Sequence, residues 1–181
     1  MQNKKISFDN DDGHSLSGLM ALPQAAPRAY ALFAHCFTCS KNLKAATNIA
    51  QALTDSGIAV LRFDFTGLGQ SEGDFADTNF SSNVSDLLAA VRFLEKEYRA
   101  PEILLGHSLG GTAILQAAAE VPSAVAVATI GSPSDPGHVR HLFAGAEETL
   151  RDQGVAQVNL GGRPFTIKRQ FLDDLEHHEL P

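Results

Sequence analysis

Ile103-Leu104-Leu105-Gly106-His107-Ser108-Leu109-Gly110-Gly111 is the stretch on which the fold turns. Its first three residues read as a buried strand, and the alanine-rich run from Leu109 to Glu120 reads as a helix stopped at Val121-Pro122. Between them stands Gly106-x-Ser108-x-Gly110. A turn this tight puts strained dihedrals on the serine, and side chains at the glycine positions would collide with neighbouring backbone. Ser108 Oγ is therefore expected above a sheet, as a nucleophile, with the Leu109 N–H at the helix start ready to hold a developing oxyanion. The plain alternative is a serine in an ordinary glycine-rich turn. The strand before it and the helix after it favour the nucleophile.

Working outward, Lys4 to Phe8 and Ser15 to Leu22 alternate at period two around Asp11-Asp12-Gly13-His14, which predicts an antiparallel hairpin. Ala29 to Ala34, Ile58 to Phe63, Ile103 to Leu105 and Ala124 to Ile130 are continuously apolar, the mark of strands covered on both faces in a parallel sheet. Helical periods fall between them. One is capped by Ser40 and runs to Leu53; another carries Val84, Leu87, Leu88, Val91, Leu94 and Tyr98 and ends at Ala100-Pro101. Strand alternating with helix predicts a doubly wound α/β sheet whose ligands meet the carboxyl ends of the strands. Val155 to Leu160 and Arg163 to Lys168, around Gly161-Gly162, then read as a hairpin excursion, followed by an acidic stretch from Phe171 to Leu180 expected as a solvated helix face.

Three further groups of residues could carry chemistry. His35-Cys36-Phe37-Thr38-Cys39-Ser40 follows a strand at the position where a second oxyanion donor belongs, most simply the Phe37 N–H. The same segment holds Cys36-x-x-Cys39 between strand and helix, so a thiol redox role is an alternative. Gly67-x-Gly69 could pass for a dinucleotide loop, but Glu72, Asp74 and Asp77 would repel a pyrophosphate, and a structural turn is the better reading. His138 and His141 are spaced to share a metal, yet two solvent-facing histidines on a surface helix are the commoner case, and no metal site is expected.

Composition sets the outer limits. The 181 residues are 44% apolar with a net charge of −7, which describes one acidic, soluble domain without a basic face for nucleic acid or an anionic membrane. No apolar stretch approaches the ~20 residues that span a bilayer, and the first residues lead into a polar strand rather than a signal core, so a cytoplasmic setting is expected. Two cysteines make no disulfide framework, and a chain of this length can bury roughly 70% of its unfolded surface without one.

Taken together, Phe33-Ala34-His35-Cys36-Phe37-Thr38, the segment Arg62 to Gly73 (RFDFTGLGQSEG) and Gly106 to Gly111 resemble the α/β-hydrolase family. The nearest likeness is the bacterial subgroup whose hydrolase domain precedes an osmotically-inducible-protein-C-type domain. The resemblance covers nearly the whole chain and implies one three-layer α/β domain over 1–181, with a lid or cap region over 134–181. It implies a serine hydrolase acting on an ester or related acyl bond of a small-molecule substrate, with no cofactor or metal: Ser108 attacks, the Leu109 and Phe37 amides hold the oxyanion, and water releases the acyl enzyme. Cys36 departs from the glycine that many hydrolases of this fold carry after the histidine.

In this fold the triad runs Ser, then acid, then His, the last two usually after later strands. After Ser108 this chain offers one convincing strand and the hairpin, so the final strands, with acid and base, are expected to be missing. Asp135 with His138, His141, His177 or His178 are the residues that could substitute. A sheet edge left without its neighbour would invite self-association, and a noncatalytic interaction module is accordingly a second expectation.

Overall fold

The computed structural model describes residues 2–178. β1 (Gln2–Asp9) and β2 (Ser15–Leu22) form the expected antiparallel hairpin. β3 (Ala29–Ala34), β4 (Ile58–Phe63), β5 (Ile103–His107) and β6 (Ala126–Ile130) complete one six-stranded sheet in the order β1-β2-β4-β3-β5-β6. β2 meets β4 antiparallel, and every later pairing is parallel.

Alternation explains why the central runs are apolar throughout. On β3, Ala31 and Phe33 point to one face, where Ala46 and Ala50 of α1 (Lys44–Asp55) pack with Val60 and Leu105. Leu32 and Ala34 point to the other, where α2 (Phe80–Glu97) and α3 (Leu109–Ala118) lie. Both faces of β4 are covered, and all six of its residues are buried. The apolar stripe Val84, Leu87, Val91 and Leu94 is buried on α2, each side chain contributing ~1.5–3 kcal/mol relative to exposure. Asn79 and Ser82 start that helix with a reciprocal capping box. Three layers result.

Two local expectations are corrected. Ser40 does not cap α1, which begins at Lys44 after Leu43 without a side-chain cap, because the intervening residues are taken up by a turn and by tethers described below. β6 is not covered on both faces: all five of its residues are exposed. It is the outermost strand, and an apolar run reads the same for a central strand as for an edge.

Beyond β6 come a 3₁₀ helix (Pro136–Phe143), α4 (Glu147–Gln153), the hairpin β7 (Val155–Leu160) and β8 (Arg163–Lys168), and α5 (Arg169–Leu175). This is the predicted excursion, a separate two-stranded sheet. Phe171, Leu172 and Leu175 of α5 are buried, so the acidic stretch has an apolar inner face. Its last residues, and those of the cap region over 134–181, lie outside the described residues.

Candidate active site

The turn between β5 and α3 carries the strain its sequence demands. Ser108 has φ 54° and ψ −132°, the only non-glycine residue at positive φ among the described residues. Such a conformation costs on the order of 1–3 kcal/mol and persists only where the surroundings impose it. They do so here through close approach. A Cβ at Gly106 would lie 2.7 Å from the Gly110 carbonyl oxygen, one at Gly110 would run into the His35 carbonyl, and one at Gly111 would strike the Ser132 side chain. The Ser108 N–H donates to the Ile130 carbonyl at 2.9 Å, pinning the turn to the end of β6. The Ser108 carbonyl accepts from the Gly111 and Thr112 amides, and among the described residues the Leu109 N–H is given to no backbone acceptor outside its helix.

Ala34 is in register with Gly106 across the β3–β5 pair, which brings the segment after β3 against the first turn of α3. His35 is buried and its Nδ1–H donates to the Cys36 carbonyl at 2.7 Å. Burial pushes this imidazole below its usual pKa and outweighs that hydrogen bond and nearby Asp64, both of which pull the other way. The Cys39 N–H closes a turn onto the Cys36 carbonyl at 3.1 Å, with Phe37 and Thr38 at its tip, and the Phe37 N–H bonds to no other backbone group among the described residues. The cysteines of this turn are joined as a disulfide, with Cα atoms 5.3 Å apart.

The turn is tethered at every side. Asp64 accepts from the Lys41 amide at 2.7 Å and is ion-paired with the buried Lys41 ammonium, which also donates to Ser17 Oγ at 3.0 Å and Gln70 Oε1 at 3.2 Å. Arg62 donates to the Lys41 carbonyl at 2.8 Å. Gly69, at φ 57°, lies against the Asp64 carboxylate with no room for a side chain. The Gly67-x-Gly69 segment is thus the structural turn expected of it. Arg163 of β8 donates to the Thr38 carbonyl. The Phe37 ring is buried among Phe75, Phe143 and Phe171, at centroid distances of 5.4, 6.0 and 5.1 Å. These contacts from Phe143, Arg163 and Phe171 are the part of the site that sequence reasoning missed.

A cleft of about 430 Å³ opens onto Ser108, with Ser132, His138, His141 and Leu142 in its wall. Of the substitute acid and bases, only these two histidines reach it. Asp135 caps the 3₁₀ helix instead, accepting from the Gly137 N–H at 2.7 Å, and no hydrogen bond joins it to either imidazole among the described residues. His177 Nδ1–H donates to the Asp173 carbonyl. His178 packs on Phe80 and reaches Ser81 Oγ at 2.8 Å beside Asp174. Ser81, His178 and Asp174 hold the residue types of a triad in the wrong order: Asp174 accepts from Ser81 itself rather than orienting the far imidazole nitrogen. Cys39 does not sit at a helix N-terminus, as the redox expectation required, because α1 starts only at Lys44.

The family model described as serine aminopeptidase, S33, matches residues 25–150. Mouse mitochondrial palmitoyl-protein thioesterase ABHD10 is 32% identical over 130 residues, which are 67% of this chain and 42% of that protein. Rat monoglyceride lipase is 34% identical over 116 residues, 63% of this chain and 38% of the lipase. The chain thus spans about two fifths of the length of these relatives. Among solved structures, the esterase domain of a Rhodothermus marinus protein is 56% identical with a TM-score of 0.73, covering 97% of this chain and 68% of that one. Mouse alpha/beta hydrolase domain-containing protein 10, at 23% identity, 98% and 71% coverage and a TM-score of 0.78, shares the fold.

Proposed function

Because the chain belongs to the serine aminopeptidase S33 family of α/β hydrolases, we infer that it is a serine hydrolase acting on an ester or related acyl bond of a small molecule. The observation that carries this is the strained Ser108 between glycines, with the Leu109 and Phe37 amides uncommitted on either side. Ser108 Oγ attacks the acyl carbon, and its proton passes to a base. The negative charge that develops on the acyl oxygen is held by the two amides, which are fixed before reaction begins. The alcohol or thiol leaves with a proton, and water then releases the acyl group from Ser108. The related proteins named as thioesterase, lipase and esterase support an acyl substrate.

The imidazoles on the cleft, His138 and His141, are the bases the described residues offer there, and Asp135, the carboxylate nearest them in sequence, bonds to the Gly137 amide rather than to either ring. A serine so served is slow. Removing one member of a triad still leaves ~10³–10⁴ over water from the oxyanion hole and binding. Labelling with a fluorophosphonate tests the reading, since the reagent modifies only an activated serine. Slow modification of Ser108, lost in Ser108→Ala, supports it; modification of any other serine refutes it.

A second reading, a noncatalytic interaction module in the cytoplasm, is favoured by β6. Val127 and Ile130 are exposed on this outermost strand, which carries no charged residue to discourage pairing. Two copies would pair antiparallel through these edges. A particle that stays monomeric by light scattering at millimolar concentration would sink this reading.

A further inference from the structure

The hydrolase reading leaves the cysteine pair unused, yet these residues bracket the amide on which it depends. The turn brings their Cα atoms to 5.3 Å, inside the span a disulfide bridges without backbone movement. Phe37 and Thr38 lie within the ring that the bond closes. Outside the ring the backbone is held at Lys41 by Asp64 and Arg62, and inside it Arg163 holds the Thr38 carbonyl, so the disulfide joins the two ends of a turn anchored on one side. A loop this short restricts the unfolded chain little, which makes the bond's main effect local. Both cysteines are partly exposed, and Cys39 lines a cleft of about 340 Å³ with Leu160, Gly161 and Arg163. With two cysteines in the chain, no internal rearrangement competes.

We propose that Cys36 and Cys39 are a reversible redox pair that sets the order of the turn carrying the Phe37 amide, and through it the reactivity of Ser108. The link to Ser108 rests on the hydrolase reading; the pair itself does not. Low-molecular-weight thiols are the reductant. A thiolate attacks Cys39 Sγ from the open cleft, the bond to Cys36 breaks, and the electron pair leaves on Cys36 Sγ, which takes up a proton. A second thiolate attacks the small-molecule sulfur of the mixed disulfide and releases Cys39 Sγ, which is protonated in turn. Two small thiols are oxidised to one disulfide while the protein gains two electrons and two protons. The reverse exchange, with a small disulfide as oxidant, restores the ring. Reduction loosens the backbone between Cys36 and Cys39, while the packed Phe37 ring, the Arg163 contact to Thr38 and the tethers at Lys41 keep the fold.

The test uses the 181-residue chain equilibrated in buffers of graded thiol-to-disulfide ratio, quenched with acid and alkylated. The tryptic peptide Ala29–Lys41 holds both cysteines. It should pass from unlabelled to doubly labelled in one transition, without a singly labelled plateau. Double labelling at every ratio would overturn the proposal. Hydrogen exchange at the Cys39 amide, which bonds to the Cys36 carbonyl across the turn, should quicken about tenfold or more on reduction, as expected for local opening. The variant Cys36→Ser/Cys39→Ser should exchange like the reduced chain at all ratios. Equal exchange in the two states would overturn the control of the turn. Fluorophosphonate labelling of Ser108 should slow on reduction, up to the ~10²–10³ that loss of one oxyanion donor costs. Labelling at one rate in both states, despite altered exchange, would overturn the link to Ser108. If Ser108 is labelled in neither state, the hydrolase reading fails, and alkylation and exchange still decide the pair.

Discussion

The carbonyl group of His35 occupies the space that a side chain at Gly110 would need. One loop follows the third strand and the other residue opens the helix after the fifth, so their contact fixes the Phe37 turn relative to Ser108. The Ala34 carbonyl closes the same space, 2.9 Å from where a Cβ would be. Both neighbours are backbone and cannot swing aside. Gly110→Ala should therefore push the turn away, destabilise the fold by about 1–3 kcal/mol as overpacking does, and slow labelling of Ser108. A urea midpoint equal to that of the unaltered chain would show that the contact is slack.

Position 108 should reverse the usual ranking of alanine and glycine. At φ 54° alanine retains the strain of serine, whereas glycine adopts that conformation freely. Relief of strain worth ~1–3 kcal/mol exceeds the ~0.5–1 kcal/mol that glycine loses in chain entropy. Ser108→Gly is expected to be about 1 kcal/mol more stable than Ser108→Ala, with both folded and neither labelled. Chemical denaturation of the two variants decides it, and an alanine variant that is the more stable of the two would contradict the strained geometry.

Much of this geometry was legible because it is local. Gly106-x-Ser108-x-Gly110 specifies its turn within five residues, and the alternation of β1 and β2 specifies their hairpin. The tethers of the Phe37 turn left no such trace. Arg163 lies 125 residues from Thr38, and Lys41 lies 23 from Asp64. A pair so separated has no period, and each partner alone reads as an ordinary surface charge. Phe37, Phe143 and Phe171 likewise read as unrelated core residues until the fold brings their rings together. β6 misled for the opposite reason, since its apolar run records a capacity for burial and not whether anything covers it.

The Lys41–Asp64 pair makes the strongest of those tethers. Both side chains are buried, and Asp64 also accepts from the Lys41 and Gln70 amides. Replacing one partner leaves the other charge buried and unpaired, at a cost of ~3–5 kcal/mol. Asp64→Ala should fall in that range by equilibrium unfolding, and Lys41→Met somewhat below it, because the remaining carboxylate keeps its backbone donors. In a double-mutant cycle the coupling energy should exceed 1 kcal/mol, the upper end for exposed pairs. A coupling near zero would mean that the pair does not hold the turn.

His35 gives the fold an acid limit. Burial lowers its pKa, so from the ordinary value of 6.5 downward the unfolded chain binds a proton that the folded chain does not. Stability is complete above that value and is lost as pH falls toward the folded pKa. Asp86, raised by burial despite hydrogen bonds from Asn10 and Thr66, has the opposite sign and loses stability as pH rises from 3.8 through its folded pKa. His35→Gln should therefore flatten the pH dependence of the urea midpoint just below 6.5. Parallel slopes for variant and parent would show that His35 titrates alike in both states.

The base is the last matter that measurement can decide. His138 and His141 share the cleft with Ser108, and their rings meet edge to face at a centroid distance of 4.8 Å. The His141 Nδ1–H is donated to the His138 carbonyl, which leaves His141 Nε2 as its acceptor. That hydrogen bond fixes the tautomer as a carboxylate would, but a carbonyl stabilises the imidazolium less. His141 is accordingly expected to be the more effective of the two, since among the described residues no partner selects the His138 tautomer. General-base assistance is worth ~10²–10⁴, and a base without its carboxylate belongs at the low end. His141→Ala should slow fluorophosphonate labelling of Ser108 by about 10², His138→Ala by less, and neither should move the urea midpoint much, because both side chains are exposed. Labelling that survives loss of both imidazoles at the parent rate would exclude them as bases.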